Sequence, residues 1–391
     1  MNTLLQLTPH DPLISRDGRP FGAGQGSRMR GLPWPLPSVV AGSFRTAIVK
    51  NSAELDFSGN MPQRLMQVSV AGVFPVHASE LYLPAPNDAV AEPHEKGRGI
   101  KRLHRVQPQS FLGGCDLPKE GLQPVLLSES QAGEDFKPAE IPAWWPVGKY
   151  IDWLRGGDVS FDSSFLRSPL QETRDHVCLD AARGAAAEGL VFASVNLHAA
   201  YLPRFATIDV GHGGRFADRY AEVVLSARIA GDESLLQKVH LDFWHPLGGE
   251  RRLVHWKQAD SGLWNCPLAI RDELERTTRV RMILAAPAIF KDGWKPGWLN
   301  EQLEGSPPGS SVKLKLVGVS NGRWRPVSGW SLAPPRGPKP IRRMTPAGSV
   351  YFFEVEQPGS AARLADLWLQ PVSDEEQMQR DGFGLAVWGV W

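Results

Sequence analysis

The order of short apolar runs in the last third of the chain constrains its fold most tightly. Arg279-Val-Arg-Met-Ile-Leu-Ala-Ala-Pro287 is rich in strand formers, Val312-Lys-Leu-Lys-Leu-Val-Gly-Val319 alternates with period two, and Ser349-Val-Tyr-Phe-Phe-Glu-Val-Glu356 follows the turn Pro346-Ala-Gly348. All three predict strands. Between the first two, Gly297-Trp-Leu-Asn-Glu-Gln-Leu303 fits a short helix. After the third, Ala362, Leu364, Leu367 and Leu369 fall near helical spacing behind a Gly-Ser start. The final segment, Asp381 to Trp391, sets Gly382-Phe-Gly384 directly before an apolar strand. Such a strand must pair inside a sheet, and glycines ahead of it let the backbone run close to something else, which suggests a backbone-binding loop. The order strand, helix, strand, strand, helix, strand is the split βαβ pattern of a ferredoxin-like domain, and RNA-recognition domains lay bases on the face of such a sheet.

The front of the chain repeats the pattern. Thr3 to Leu7 is a short strand, and Pro37-Ser38 followed by Val39, Val40, Phe44, Ala47 and Ile48 marks an N-capped helix. Leu190 to Leu197 and Ala221 to Ile229 predict strands, Asp232 to Lys238 a small helix, and Leu247-Gly-Gly-Glu-Arg-Arg-Leu-Val-His-Trp256 again sets glycines before a strand. The expected fold is therefore α+β, two tandem ferredoxin-like (RRM-like) domains over residues 1–270 and 271–391. A long insertion, about 55–185, separates the helix of the first from its second strand.

At 391 residues, with 42% hydrophobic and 22% charged residues, the composition is that of a globular protein of about two domains. No apolar run reaches the roughly 18 residues of a membrane span, and the N-terminus lacks a signal-peptide layout, so a cytoplasmic location and no membrane partner are expected. Cys115, Cys178 and Cys266 are far apart and without C-x-x-C spacing, which argues against a disulfide framework or a zinc site and leaves reduced thiols.

The net charge of +1 makes no global case for nucleic acid, but the charge is clumped. Lys96 to Arg105 carries five positive charges in ten residues, including Lys101, Arg102 and Arg105. It reads equally as a solvated loop or as a phosphate-binding arm. A second clump, Arg323, Arg325, Arg336, Lys339, Arg342 and Arg343, is interleaved with Trp324, Trp330 and prolines. Cations that neutralise phosphate beside rings that stack on bases suit a single-stranded chain, at about 1–3 kcal/mol per stacked base. Of the 14 tryptophans, Trp144, Trp145 and Trp153 lie in the insertion, where a small local core beneath a long loop is the favoured reading.

Motifs for catalysis are thin. Gly22-Ala-Gly-Gln-Gly26 has neither the spacing of a dinucleotide fingerprint nor a Lys-Ser/Thr ending. Arg155-Gly-Gly-Asp158 resembles a polymerase or cyclase palm loop, but Val159 stands where such palms carry a second acidic residue. His10-Asp11 has no partner cluster for a two-metal centre. His212, between Gly211 and Gly213, is the best candidate for a general base. The expectation is no catalytic residue, no metal and no cofactor.

Several segments together resemble a known family: Asp11-Pro-Leu-Ile-Ser-Arg-Asp-Gly-Arg-Pro-Phe21, Leu36-Pro-Ser-Val-Val-Ala-Gly-Ser-Phe-Arg-Thr-Ala47, Gly248-Gly-Glu-Arg-Arg252, Pro338 to Arg343 with Pro346 to Phe353, and Gly382-Phe-Gly384. In order and from end to end they are similar to the third subunit of the type III-B CRISPR Cmr effector complex, of the RAMP superfamily and its Cas five-like group. The resemblance implies a non-catalytic RNA-binding subunit that recognises the repeat-derived 5′ tag of the guide (CRISPR) RNA. It further implies packing against the large polymerase-like subunit and adjacent RAMP backbone subunits, in antiviral defence. Carried onto this chain, it marks Arg16, Arg19, Ser38, Arg45, Gly248, Gly249, Gly382 and Gly384 as motif positions. Arg251 and Arg252 can supply charge-assisted contacts, as can Lys339, Arg342 and Arg343. Ser38 at a helix start reads also as an ordinary cap, although N–H groups there bind phosphate equally well. Lys101, Arg102 and Arg105 join the list by charge alone. Two rival readings remain: a metal-independent guide-processing endoribonuclease, the other activity of RAMP proteins, and a Trp-rich glycan-binding or structural protein.

Overall fold

The computed structural model describes residues 2–17, 27–94, 100–110, 116–127, 136–205, 215–331 and 337–391. In chain order the elements that matter for function begin with β1 (Asn2–Pro9), α1 (Pro37–Lys50), β2 (Ser69–His77), β3 (Glu80–Pro84), β4 (Ala89–Pro93) and β5 (Ile100–Pro108). There follow β6 (Trp144–Pro146), α2 (Val147–Leu154), β7 (Gln171–Asp180), β8 (Ala185–Leu197), β9 (Val224–Ala230), β10 (Asp242–Pro246) and β11 (Leu253–Ala259). The last part holds α3 (Leu268–Glu275), β12 (Arg279–Leu284), β13 (Leu314–Ser320), β14 (Arg325–Val327), β15 (Arg342–Met344), β16 (Val350–Val355) and β17 (Leu385–Val390). The result is a mixed α/β chain dominated by antiparallel sheets.

Two large sheets organise it. The first is seven-stranded, in the order β10-β11-β1-β9-β2-β3-β6. β1 lies antiparallel to both neighbours, with Leu5 opposite Ala227 on β9 and Leu7 opposite Trp256 on β11. The second sheet is six-stranded and has β13-β16-β12-β17 at its centre. In both sheets the central strands, numbered within their own half, run fourth, first, third, second.

The second strand of the first sheet is not where the sequence suggested. It is β2, inside the segment expected to be an insertion, whereas Leu190 to Leu197 belongs to β8 and pairs with β7 in a separate hairpin. Gly72 and Pro75 interrupt β2, and both count against a strand in sequence. The fold uses the glycine: the β9–β2 register shifts there, Gly72 sits at φ +112°, and a Cβ on it would lie 2.8 Å from the Ser226 carbonyl oxygen. The true insertion thus separates the second and third strands, not the helix and second strand.

On one face of the first sheet α1 buries Val40, Ala41, Phe44, Ala47 and Ile48 against Leu5, Leu7, Val70, Leu225 and Trp256. Phe44, fully buried, has its ring 5.9 Å from Trp256 and 6.5 Å from Phe243; removing such a ring costs about 3–5 kcal/mol. On the second sheet the expected helix at 297–303 is instead a set of turns. The Asn300 side chain accepts from the Gln302 and Glu304 amides, and Leu303 takes φ +64°, a local alternative to helical bonding. The second expected helix is a 3-10 helix, Ser360–Leu367, which packs with α3 beside β17. α3 straddles the expected boundary at residue 270.

The insertion's aromatic residues do not form a satellite. Trp145 meets Trp153 and Phe165 edge-on at 5.6 Å each, and the group shares one core with the strands of the second sheet. The join is ionic as well as apolar. Arg281 on β12, 1% exposed, pairs with Asp88, 0% exposed, and donates to the Trp153 carbonyl, while the Trp153 indole donates to Asp88 Oδ1 at 2.9 Å.

Candidate nucleic-acid interface

Two surface clusters and one buried seam take up the described motif residues; Lys101, Arg102 and Arg105 lie apart from them, in the insertion. The first cluster forms where the β10–β11 turn meets the segment after β1. Gly248 bridges Ile14, and the Gly249 amide donates to the Ile14 carbonyl at 2.9 Å. At φ +82° a Cβ on Gly248 would lie 2.4 Å from that oxygen, so only glycine permits the approach. The bare backbone here meets protein. Its effect is to aim the residues that follow: Glu250 and Arg251 both hold positive φ, and Arg251 projects into solvent. Arg252 turns inward, donating to Asn196 Oδ1 at 2.9 Å and Glu250 Oε2 at 2.8 Å. Arg16, exposed, bridges Gly31 next to exposed Arg30, so Arg16, Arg30 and Arg251 come from segments fastened to one another. Arg19 lies outside the described residues.

Asn196 and Asp11 were missed by sequence reasoning. Asn196, fully buried on β8, orients Arg252, and Asp11 Oδ2 accepts from the Leu253 amide at 2.9 Å and anchors the turn. Asp11 stood in a recognised motif; nothing near Asn196 signalled its role.

The second cluster is the β14–β15 hairpin, in which Arg325 opposes Met344 and Val327 opposes Arg342. It gathers Arg323, Arg325, Lys339, Arg342 and Arg343 with Trp324, which is 53% exposed. The Arg343 guanidinium lies 5.2 Å from the Trp324 ring, and Arg342 pairs with Glu375 at 2.5 Å. A cavity of about 120 Å³ opens between this hairpin and the first turn of α1, lined by Ser38, Val327, Lys339, Arg342, Asp381 and Phe383 among others. A wider one, about 600 Å³, carries Lys291, Arg342 and Arg343 opposite Asp374 and Glu375. Ser38 thus shares one cavity with Lys339 and Arg342, about 300 positions away in sequence. Ser38 is not the helix cap: Leu36 is, without a side-chain bond, and Pro37 opens the helix, as suits a first-turn position. Arg336 lies outside the described residues.

The seam holds the residues the structure withdraws from the surface. Arg45 is 6% exposed and Asp381 is 2% exposed; they form an ion pair. Arg45 also donates to the Val68 carbonyl through Nε at 3.0 Å and Nη2 at 2.7 Å, and to the Arg380 carbonyl at 3.2 Å. Gly382, at φ +86°, would place a Cβ 2.5 Å from the Val70 carbonyl, and one on Gly384 would meet Ser373 Oγ at 2.6 Å. The expected RNA contacts at Arg45, Gly382 and Gly384 are therefore corrected: Arg45 and Gly382 fasten the C-terminal segment to α1 and β2, and Gly384 packs its bare backbone against Ser373.

In the insertion, Lys101 pairs with Glu92 at 2.7 Å, and this bond, with His104 behind it, holds the Glu92 carboxyl below its ordinary value. Arg102 is exposed. Arg105 is committed internally, donating to the Trp153 and Gly156 carbonyls and stacking 3.8 Å from the Trp153 ring. Burial, then the nearby Arg281 charge, pulls its guanidinium down to about 10. Its expected RNA contact is corrected to a structural one.

His212 and the surrounding glycines lie outside the described residues. Among the described residues no group of three or more His, Cys, Asp or Glu is placed to hold a metal ion. No helix among them is long and apolar enough to cross a membrane. Trp145, Trp153, Trp256 and Trp388 are fully buried, so these rings serve the core and do not form a sugar-binding surface.

The model of the CRISPR-associated protein family Cas_Cmr3 matches residues 5–391. The chain belongs to that family. This is the third-subunit family of the type III-B Cmr complex that the motif segments resembled. No curated protein matches the chain in sequence. Among solved structures it is similar to a chain of the Type III-B Cmr-beta bound to cognate target RNA, at 13% identity and TM-score 0.47, covering 89% of this chain and 86% of that one. The same complex with AMPPnP gives 13%, TM-score 0.45 and the same coverage. A chain of the Csm3-Csm4 subcomplex of the type III-A CRISPR-Cas interference complex gives 10% and TM-score 0.36, covering 92% and 94%. Likenesses this distant carry no argument about function.

Proposed function

We propose that this chain is a non-catalytic RNA-binding subunit of a type III-B CRISPR effector, acting in the cytoplasm in antiviral defence. It recognises the repeat-derived 5′ tag of the guide RNA and docks the large polymerase-like subunit beside the RAMP backbone subunits. Its two halves are read as ferredoxin-like units, a reading supported by their shared order of central strands. The observation that carries the RNA reading is the convergence of basic side chains from separate segments. Exposed Arg16, Arg30 and Arg251 lie on segments bridged to one another at the glycine turn, and Lys339, Arg342 and Arg343 lie with Trp324 on the hairpin facing α1. Cations supply salt-sensitive affinity for phosphates, and an exposed indole supplies stacking for an unpaired base.

The test is to express the tagged chain with a CRISPR array and its neighbouring subunits, then sequence the RNA crosslinked to it by ultraviolet light. The expected result is enrichment of the repeat-derived 5′ end. Arg251→Ala with Arg252→Ala should lower affinity and flatten the slope of log K against log salt by about 0.7 per lost phosphate contact. Since Arg252 is half-tied to Asn196 and Glu250, most of the change should come from Arg251. An intact complex without guide RNA removes the tag reading; an unchanged slope removes this turn from it.

A further inference from the structure

The edge of the first sheet carries an aromatic feature outside both clusters. On β10 the side chains alternate: Phe243 joins the core under α1, and Trp244 points to the opposite face, 52% exposed. Its β11 partner is His255, whose ring stacks on the indole at 4.8 Å and 23°. His10, just past the end of β1, meets the indole edge-on at 5.8 Å and 89°. His255 is itself held, since Asp242 Oδ1 lies 2.7 Å from Nε2, a contact that lowers the Asp242 carboxyl. The Trp244 indole is thus fixed by neighbours without being covered by them.

We propose that Trp244, backed by His255 and His10, is a stacking platform for one unpaired base of a single-stranded RNA. The inference rests on the RNA-binding reading above and adds a site to it. Three observations favour RNA as the occupant. The ring belongs to the same β-hairpin whose turn presents Arg251, so about 10 Å of strand separates platform from cation. Lys257, exposed and two residues beyond His255 on β11, places a second positive charge on the same face. The Asp242 carboxylate, two residues before the ring on β10, is occupied by His255. The indole's ordering is already met in the free protein, which favours stacking on arrival of a base.

The experiment uses the purified full-length chain, a single-stranded oligoadenylate and the same backbone with abasic sugars, titrated at several salt concentrations. Stacking worth about 1–3 kcal/mol corresponds to roughly 5- to 150-fold in affinity. Trp244→Ala should weaken oligoadenylate binding at least about 5-fold while leaving the salt slope and abasic binding unchanged, and Trp244→Phe should retain most of the affinity. If Trp244→Ala binds oligoadenylate like the parent while Arg251→Ala with Arg252→Ala binds less well, the platform is overturned and the RNA-binding reading stands. If Trp244→Ala instead releases a protein subunit from the assembled complex with RNA affinity intact, the face is a protein contact and the proposal fails. If neither the parent chain nor the assembled complex holds RNA, the broader reading falls and the platform with it.

Discussion

Replacing Arg45 by alanine should cost stability without removing a phosphate contact. Arg45 makes three bonds to the Val68 and Arg380 carbonyls in addition to its pair with Asp381. Arg45→Ala strands a nearly buried carboxylate with Gln377 Nε2, 2.9 Å away, as its remaining side-chain donor. Breaking a buried pair from one side typically costs about 3–5 kcal/mol. Asp381→Ala should cost less, because the guanidinium keeps all three carbonyl bonds. At a urea slope near 3 kcal/mol/M, the Arg45→Ala penalty moves the denaturation midpoint by about 1 M or more. Arg45→Met combined with Asp381→Leu removes both charges together and should recover much of the loss. RNA titrations on the folded fraction should then show an unchanged salt slope in every variant. A variant as stable as the parent whose slope drops by about 0.7 would return Arg45 to the RNA surface and refute the reasoning.

The Asp88–Arg281 pair is more deeply buried, and Asp88→Ala should destabilise by about 3–5 kcal/mol, read as a lower urea midpoint; a neutral result means the insertion does not depend on that join. Gly248→Ala puts a Cβ 2.4 Å from the Ile14 oxygen at a positive φ that alone costs about 1–2 kcal/mol. It should displace Arg251 and weaken RNA binding, and full affinity would show that the turn's geometry is unimportant. Burial pushes the Cys266 thiol up from 9.0 to about 11, so its thiolate fraction near pH 8 is roughly 100-fold below that of an unperturbed thiol. Alkylation mapped by mass spectrometry should therefore rise with pH up to about 11, and reaction at pH 8 as fast as a free thiol would contradict the packing around it.

Strands in the last third were legible because β12, β16 and β17 are rich in apolar, β-branched and aromatic residues, with Arg279 and Arg281 in β12 and Glu354 in β16 as their only charged positions. β2 was not, since Gly72 and Pro75 break the local signal and only pairing with β9 decides it. The helix at 297–303 failed for the converse reason: its composition allowed a helix, while the Asn300 side chain bonded the local backbone instead. The clumping of charge marked residues that β14 and β15 bring together, and the Gly248-Gly249 motif marked the turn that carries Arg251. Sequence could not say which arginines face inward. Arg45 and Arg251 are the same residue type in equally recognisable motifs, and what separates them is a carboxylate 336 positions away in one case and solvent in the other.

That separation gives the motif residues two physical duties. Asp381 belongs to the ion pair that fastens the C-terminal segment to α1, and it also lines the cavity shared by Ser38, Lys339 and Arg342. Fixing the seam therefore fixes how the first turn of α1 faces the basic hairpin. A seam substitution in a folded chain can misplace that hairpin and reduce affinity, but it deletes no cation at the surface and releases no fewer counterions. A substitution at Arg251, Lys339 or Arg343 deletes the cation itself. Affinity alone confuses the two classes of residue, whereas the salt dependence of affinity separates them.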